Sequence, residues 1–184
     1  MKIVPLTDSR EPVRQLAERT QQYLDRLSER YPVEFQGLLL TLKPVVNMGA
    51  RAGTAQCRQT RSGNAEYMVR YNLALYQRDP SAFLEITVPH EVAHIATFVL
   101  YPRQRIGHGA AWQAIMHEFG ADPARCHRFD TDGLVRRQRR WVYRCNCPDN
   151  RHAISTRMHN AIQRGQRRCC VTCGSVIRFS SHPV

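Results

Sequence analysis

The run His90-Glu91-Val92-Ala93-His94 constrains this chain more than any other stretch. Residues four apart share one face of an α-helix, so a helix here brings both imidazoles to one metal ion. The same helix sets Glu91 beside that ion, where a carboxylate can take a proton from a water activated by the metal. Val92 and Ala93 are uncharged and helix-compatible, as a buried metal helix requires. The bland reading of these five residues is a helix whose histidines are satisfied by ordinary hydrogen bonds. The rest of the chain decides between the two.

A catalytic zinc keeps three protein ligands and one open position, so a third ligand has to come from elsewhere. His108 is the leading candidate, because Gly107 and Gly109 flank it and let a loop backbone approach closely. Glu118, His117 and His127 are the alternatives. The extended pattern HExxHxxGxxH does not fit, since Thr97 and Leu100 stand where its glycine and third histidine belong.

The surrounding pattern predicts mixed helix and sheet. Residues 10–31 read as an amphipathic helix, with Val13, Leu16, Ala17, Thr20, Leu24, Leu27 and Tyr31 recurring at three and four and Pro12 in the first turn. Short strands follow at Leu38 to Leu42, Gly53 to Arg58 and Tyr67 to Tyr76, with Gly49, Gly53 and Gly63 marking the turns. Asp79-Pro80 opens a helix that runs to about Tyr101 and carries the metal motif. Pro89 interrupts it, so either the helix kinks there or it begins near Thr87. A further helix, Ala110 to Phe119, buries Trp112, Ile115, Met116 and Phe119.

Charge is placed unevenly. Residues 1–133 hold 16 basic and 14 acidic side chains; residues 134–184 hold 11 arginines and one acid, Asp149. A boundary is therefore expected near Leu134, dividing the chain into 1–133 and 134–184. Lys2 and Lys43 are the only lysines. Arginine's planar fork suits phosphate contacts, which points to nucleic acid; the alternative is a solvated basic face. The candidate contacts are Arg136, Arg137, Arg139, Arg140, Arg144, Arg167 and Arg168, with Trp141 either stacking on bases or joining a small core. Tyr143 and Phe179 are expected in that core.

Cys145-x-Cys147 and Cys170-x-x-Cys173 supply two pairs of thiolates, the spacing of a structural zinc ribbon. The first pair is tighter than the usual CxxC, and Cys169 or His152 could replace one ligand. Cys57 and Cys126 read as lone buried thiols. Met1 to Pro5 is no secretory leader, and the longest apolar run, near Ala96 to Tyr101, falls far short of the about 20 residues a membrane helix needs. A cytoplasmic, reducing location is expected, where seven cysteines argue for metal over disulfides.

Several stretches together resemble the SprT family of zinc metalloproteins, which includes the eukaryotic Spartan proteases. They are Val88-Pro89-His90-Glu91-Val92-Ala93-His94, Gly107-His108-Gly109 with Trp112, and His127-Arg128-Phe129. The tail adds Tyr143-Arg144-Cys145-Asn146-Cys147, Arg157-Met158-His159-Asn160 and Cys170-Val171-Thr172-Cys173-Gly174. The resemblance implies an α+β, zincin-like domain with a three-histidine zinc site on His90, His94 and His108, followed by a zinc ribbon. It implies a metallopeptidase with Glu91 as general base, and Spartan-type relatives cleave proteins trapped on DNA. His127 is a candidate second stabiliser of the oxyanion, or a structural hydrogen-bonding residue. The alternative function is a non-proteolytic, zinc-containing protein that binds nucleic acid or regulates; a zinc hydrolase acting on bonds other than peptides is a third.

Overall fold

The first 135 residues build a four-stranded sheet packed by helices, and the last 49 build a smaller three-stranded one. The two form separate compact units, Met1–Val135 and Arg136–Val184. The computed structural model describes all residues except 6, 61–62, 105–106, 124–128, 135–138 and 182–184, and not the side chain of residue 181. The class is α+β.

In the first unit a two-residue strand β1 (Lys2–Ile3) precedes helix α1 (Glu11–Arg30) and the single turn α2 (Pro32–Phe35). Val13, Leu16, Thr20, Tyr23, Leu24 and Leu27 form the buried stripe of α1, a spacing of three and four that lays one face on the core. Strands β2 (Leu39–Val45), β3 (Gly53–Gln59) and β4 (Ala65–Asn72) follow. The sheet order is β1-β2-β4-β3, with β1, β2 and β4 parallel and β3 antiparallel at one edge. Leu40 and Leu42 of β2 and Tyr67, Val69 and Tyr71 of β4 are buried, the period of two expected of strands.

The expected strand over Tyr67 to Tyr76 is cut short at Asn72, and Leu73–Arg78 forms a helix, α3. Asn72 explains the change. Its Oδ1 accepts from the Ala74 N–H as a helix cap, while its Nδ2 donates to the carbonyls of Gly49 and Arg51. One buried amide thus ends the strand and ties down the loop leading into β3. Gly53 is the first residue of β3, as the expected strand over Gly53 to Arg58 has it, and is not a turn glycine as well; Gly49 and Gly63 sit in turns at φ of 63° and 84°.

Helix α4 (Pro80–Leu100) starts where Asp79 accepts from the Ala82 N–H and Pro80 takes a first-turn position. It begins there and not near Thr87; Pro89 lies within it. Ser81, Glu85 and Ile86 of its first turns are exposed, but from Thr87 burial spreads around the helix, taking in Val88, Val92, Ile95, Ala96 and Phe98, as befits a segment wrapped by neighbours. By length and composition α4 could cross a bilayer, but 61% of its apolar window is buried inside this unit. It packs against α1, β3 and helix α5 (Ala110–Glu118).

The second unit is a sheet of β5 (Arg140–Arg144), β6 (Arg151–Ser155) and β7 (Arg178–Ser181) in the order β6-β5-β7, all antiparallel. Helix α6 (Thr156–Gln163) is capped by the Ser155 hydroxyl, which accepts from the Met158 N–H. Its core is small: Tyr143, Cys145, Ile154, Cys170 and Ile177. Tyr143 is fully buried as expected, but Phe179 is 41% exposed at the sheet edge. Cys57 is also exposed, contrary to expectation, because the second half of edge strand β3 faces solvent; Cys126 lies outside the described residues.

Candidate metal centre

Helix α4 brings His90 and His94 to one face, and the loop before α5 brings His108 to them. The Nε2 atoms of His108 and His90 lie 3.0 Å apart, and those of His94 and His108 3.3 Å apart. Three nitrogens bound tetrahedrally to one zinc-sized ion at 2.0–2.1 Å would sit about 3.3 Å from one another. As mutual hydrogen bonds the arrangement is poor, since a neutral imidazole has only one N–H to offer. The donor set therefore fits a shared cation. Burial, followed by the neighbouring His108, lowers the His94 pKa to about 4, which keeps a nitrogen lone pair free for a metal.

Trp112, on the first turns of α5, is the floor of this cluster. It is fully buried, its ring centroid lies 4.8, 5.5 and 4.6 Å from those of His90, His94 and His108, and its Nε1 donates to the His90 carbonyl. The other proposed third ligands are elsewhere. His117 and Glu118 lie on the exposed side of α5, where Glu118 accepts from the Tyr31 hydroxyl. His127 lies outside the described residues.

Glu91 is not a member of the three-histidine group. It is buried, and burial pushes its pKa up to about 8 against the opposing pull of the Ala55 N–H. Its carboxylate lies over Gly53 of β3: a Cβ built on that glycine would meet Glu91 Cγ at 2.6 Å, Oε1 at 2.7 Å and Cδ at 2.9 Å. Neither Gly53 nor Ala55 stood out in the sequence as a site residue. The available signal was a glycine inside a strand, which marks a close approach by another group.

A second group forms in the other unit. One Sγ from each of Cys145, Cys147, Cys170 and Cys173 lies within 4.8 Å of all the others. Cys169 and His152 are outside it. The thiols perturb one another: Cys147 is pushed up to about 12 by its neighbours Cys173 and Cys145, while Cys173 is drawn down to about 6 by the Ser175 hydroxyl and N–H. Four sulfurs gathered in a small core form a closed set for one metal ion.

The same sheet has two unlike faces. Pairing sets Arg140 opposite Ser155, and it sets Arg144 opposite both Arg151 and Arg178. Arg140, Arg144, Arg151 and Arg178 therefore share one face, and all four are exposed. Trp141 is on the other face, half-buried, stacked on His159 at 3.7 Å between centroids and 7° between planes, and donating to the Thr156 hydroxyl. Arg139, Arg167 and Arg168 are exposed outside the strands; Arg136 and Arg137 lie outside the described residues.

Comparison with known proteins identifies the family of the first unit. The SprT-like family model matches residues 16–131, which include all three histidines and Glu91. Protein SprT of Pseudomonas syringae pv. tomato is 35% identical over 144 residues, covering 75% of this chain and 81% of that protein. Protein SprT of Pseudomonas putida (strain W619) is 33% identical over 133 residues, 72% of this chain and 76% of its own. Protein SprT of Pseudomonas entomophila is 32% identical over a stretch of the same length. With the matched region spanning the motif helix, its third histidine and the sheet that holds them, the chain belongs to the SprT-like family.

Proposed function

We propose that this protein is a zinc-dependent metallopeptidase of zincin-like architecture that acts in the cytoplasm on proteins associated with nucleic acid, including proteins crosslinked to DNA. One observation carries the peptidase reading: His108 Nε2 lies 3.0 and 3.3 Å from the Nε2 atoms of His90 and His94, all three within 4.8 Å of one another, while the adjacent buried carboxylate, Glu91, stays out of the cluster. Three imidazoles leave one coordination position open, the mark of a catalytic zinc; four thiolates leave none, the mark of a structural one. The reading therefore takes two zinc ions, one on His90, His94 and His108 and one on Cys145, Cys147, Cys170 and Cys173.

When bound, the first zinc supplies Lewis acidity to the attacking water and to the scissile carbonyl. The chain's own residues do the rest. Trp112 fixes the ring of His90 through its backbone and packs under all three ligands. Glu91 accepts the proton that the attacking water gives up and delivers it to the leaving amine.

The charge of the second unit supports a nucleic-acid partner. Like charges directly opposite on neighbouring strands destabilise a sheet, yet Arg151, Arg144 and Arg178 form one row across all three strands. Among the described residues no carboxylate lies within ion-pair distance of them. Phosphates of a nucleic-acid backbone are the partner such a row suits, with arginine forks giving affinity without sequence preference.

The decisive experiment compares native protein with Glu91→Gln on a protein crosslinked to DNA, at equal zinc content. Cleavage by the native chain and none by the variant is the expected result. Equal cleavage by both removes Glu91 from the mechanism, and none by either favours a zinc protein that binds nucleic acid without hydrolysis.

A further inference from the structure

Among the described residues, Gly53 is the only glycine whose added Cβ would find a heavy atom within 4 Å, and its three nearest atoms all belong to Glu91. Its φ lies outside the left-handed region, so the backbone at this position would accept an alanine. A glycine inside a strand weakens it, through lost side-chain packing and extra chain entropy. The contact with Glu91 is the one feature here that calls for it. Two residues on, the Ala55 N–H donates to the same carboxylate.

We propose that the Gly53–Ala55 backbone of β3 is a positioning element for the Glu91 carboxylate: the bare Cα of Gly53 leaves the volume that the carboxylate fills, and the Ala55 N–H holds it there. This rests on the reading of Glu91 as the general base. The helix fixes only the Cα of Glu91; three side-chain torsions remain, and β3 restrains them. Restoring ordinary contact around a methyl at position 53 would move the carboxylate by roughly 1 Å, since carbon pairs prefer 3.5–4.0 Å. A shift of that size at a reacting group costs about 100-fold in rate. Gly53 and Ala55 bring no polar side chain of their own, so their effect runs through Glu91.

The test is a cycle of Gly53→Ala, Glu91→Asp and the double variant in the full-length protein. Glu91→Asp shortens the side chain by one methylene and draws the carboxylate back from β3. For Gly53→Ala the expected result is a fall of about 100-fold in kcat, with KM and zinc affinity (by chelator competition) nearly unchanged. In the double variant the two losses should not multiply, because the shorter acid makes room for the methyl. A native kcat in Gly53→Ala, or losses that multiply, would overturn the proposal.

A second readout does not depend on cleavage. In the metal-free protein Gly53→Ala should lower Tm, and adding Glu91→Ala should recover most of the drop. Independent, additive drops would show that the two residues do not share space. If the native chain cleaves nothing, the peptidase reading fails, while this unfolding cycle still decides whether β3 seats Glu91. Should Gly53→Ala fail to fold, the variant joined with Glu91→Ala lacks the three atoms nearest the methyl. Its folding supports the seat, and its failure refutes it.

Discussion

Trp112 donates its indole N–H to the carbonyl of His90 at 3.2 Å, so a helix outside the histidine cluster holds its first imidazole in place. The ring does two separable things, hydrogen bonding to the α4 backbone and packing beneath three imidazoles. Trp112→Phe keeps most of the second and loses the first. It should weaken zinc binding at the histidine cluster by about 10-fold, within the range for groups that support a metal ligand. Trp112→Ala should in addition cost about 3–5 kcal/mol of stability, because the side chain is fully buried. Chelator competition and denaturant unfolding measure the two effects; equal metal affinity in Trp112→Phe would rule out the hydrogen bond as a support.

Glu91 should cost the metal-free protein stability as pH rises from about 6.5 to 8. Burial raises the Glu91 pKa from its ordinary 4.5 to about 8, so across that interval the folded state holds a proton that the unfolded chain has released. Stability from this group is complete below pH 4.5 and gone above about 8. His94 works in the opposite sense: its pKa falls from 6.5 to about 4, so its contribution is complete above 6.5 and fades as pH drops toward 4. Between 4.5 and 6.5 the two oppose each other. From 6.5 to 8 Glu91 acts without that opposition, worth up to about 2 kcal/mol. Unfolding curves of native and Glu91→Gln protein across this range check it; the variant should lack this fall, while the lowered N-terminal amine and Cys173 thiol, which act in the opposite sense, remain in both.

Removing one thiolate should unfold the second unit and leave the first intact. Its core of Tyr143, Cys145, Ile154, Cys170 and Ile177 is too small to fold it without help, and structural zinc contributes on the order of 10–16 kcal/mol. In Cys145→Ser the bound zinc should fall by one equivalent. Amide exchange should become fast over 140–181 while remaining slow in α1 and α4. Slow exchange throughout would show that the sulfurs do not hold a metal needed for folding.

The arginine row predicts a salt effect with a sign. Arg144→Gln and Arg178→Gln should each reduce the slope of log affinity against log salt by about 0.7–0.9 for any DNA sequence. Trp141→Ala should change affinity much less, because His159 already covers one face of the indole. A larger loss from Trp141→Ala than from the arginines would shift recognition to the other face of the sheet.

Local chemistry was legible in the residues alone. The i, i+4 spacing of His90 and His94 needs only a helix, and Asp79-Pro80 announces where that helix starts. The paired cysteines needed only short turns within each pair, and the arginine-rich tail was visible as composition. Long-range packing decided the rest. His108 was one of several possible third ligands until α5 set its Trp112 face against α4 and left His117 and Glu118 pointing outward. Asn72 reads as a strand residue unless the carbonyls of Gly49 and Arg51 are within its reach. Gly53 was legible as the start of a strand, but the reason for a glycine there was not, because the group it meets is Glu91, 38 positions away across a strand–helix contact. Periodicity and spacing record what one element does by itself. Which side chains face one another across elements is settled by close packing, and that order is written only in three dimensions.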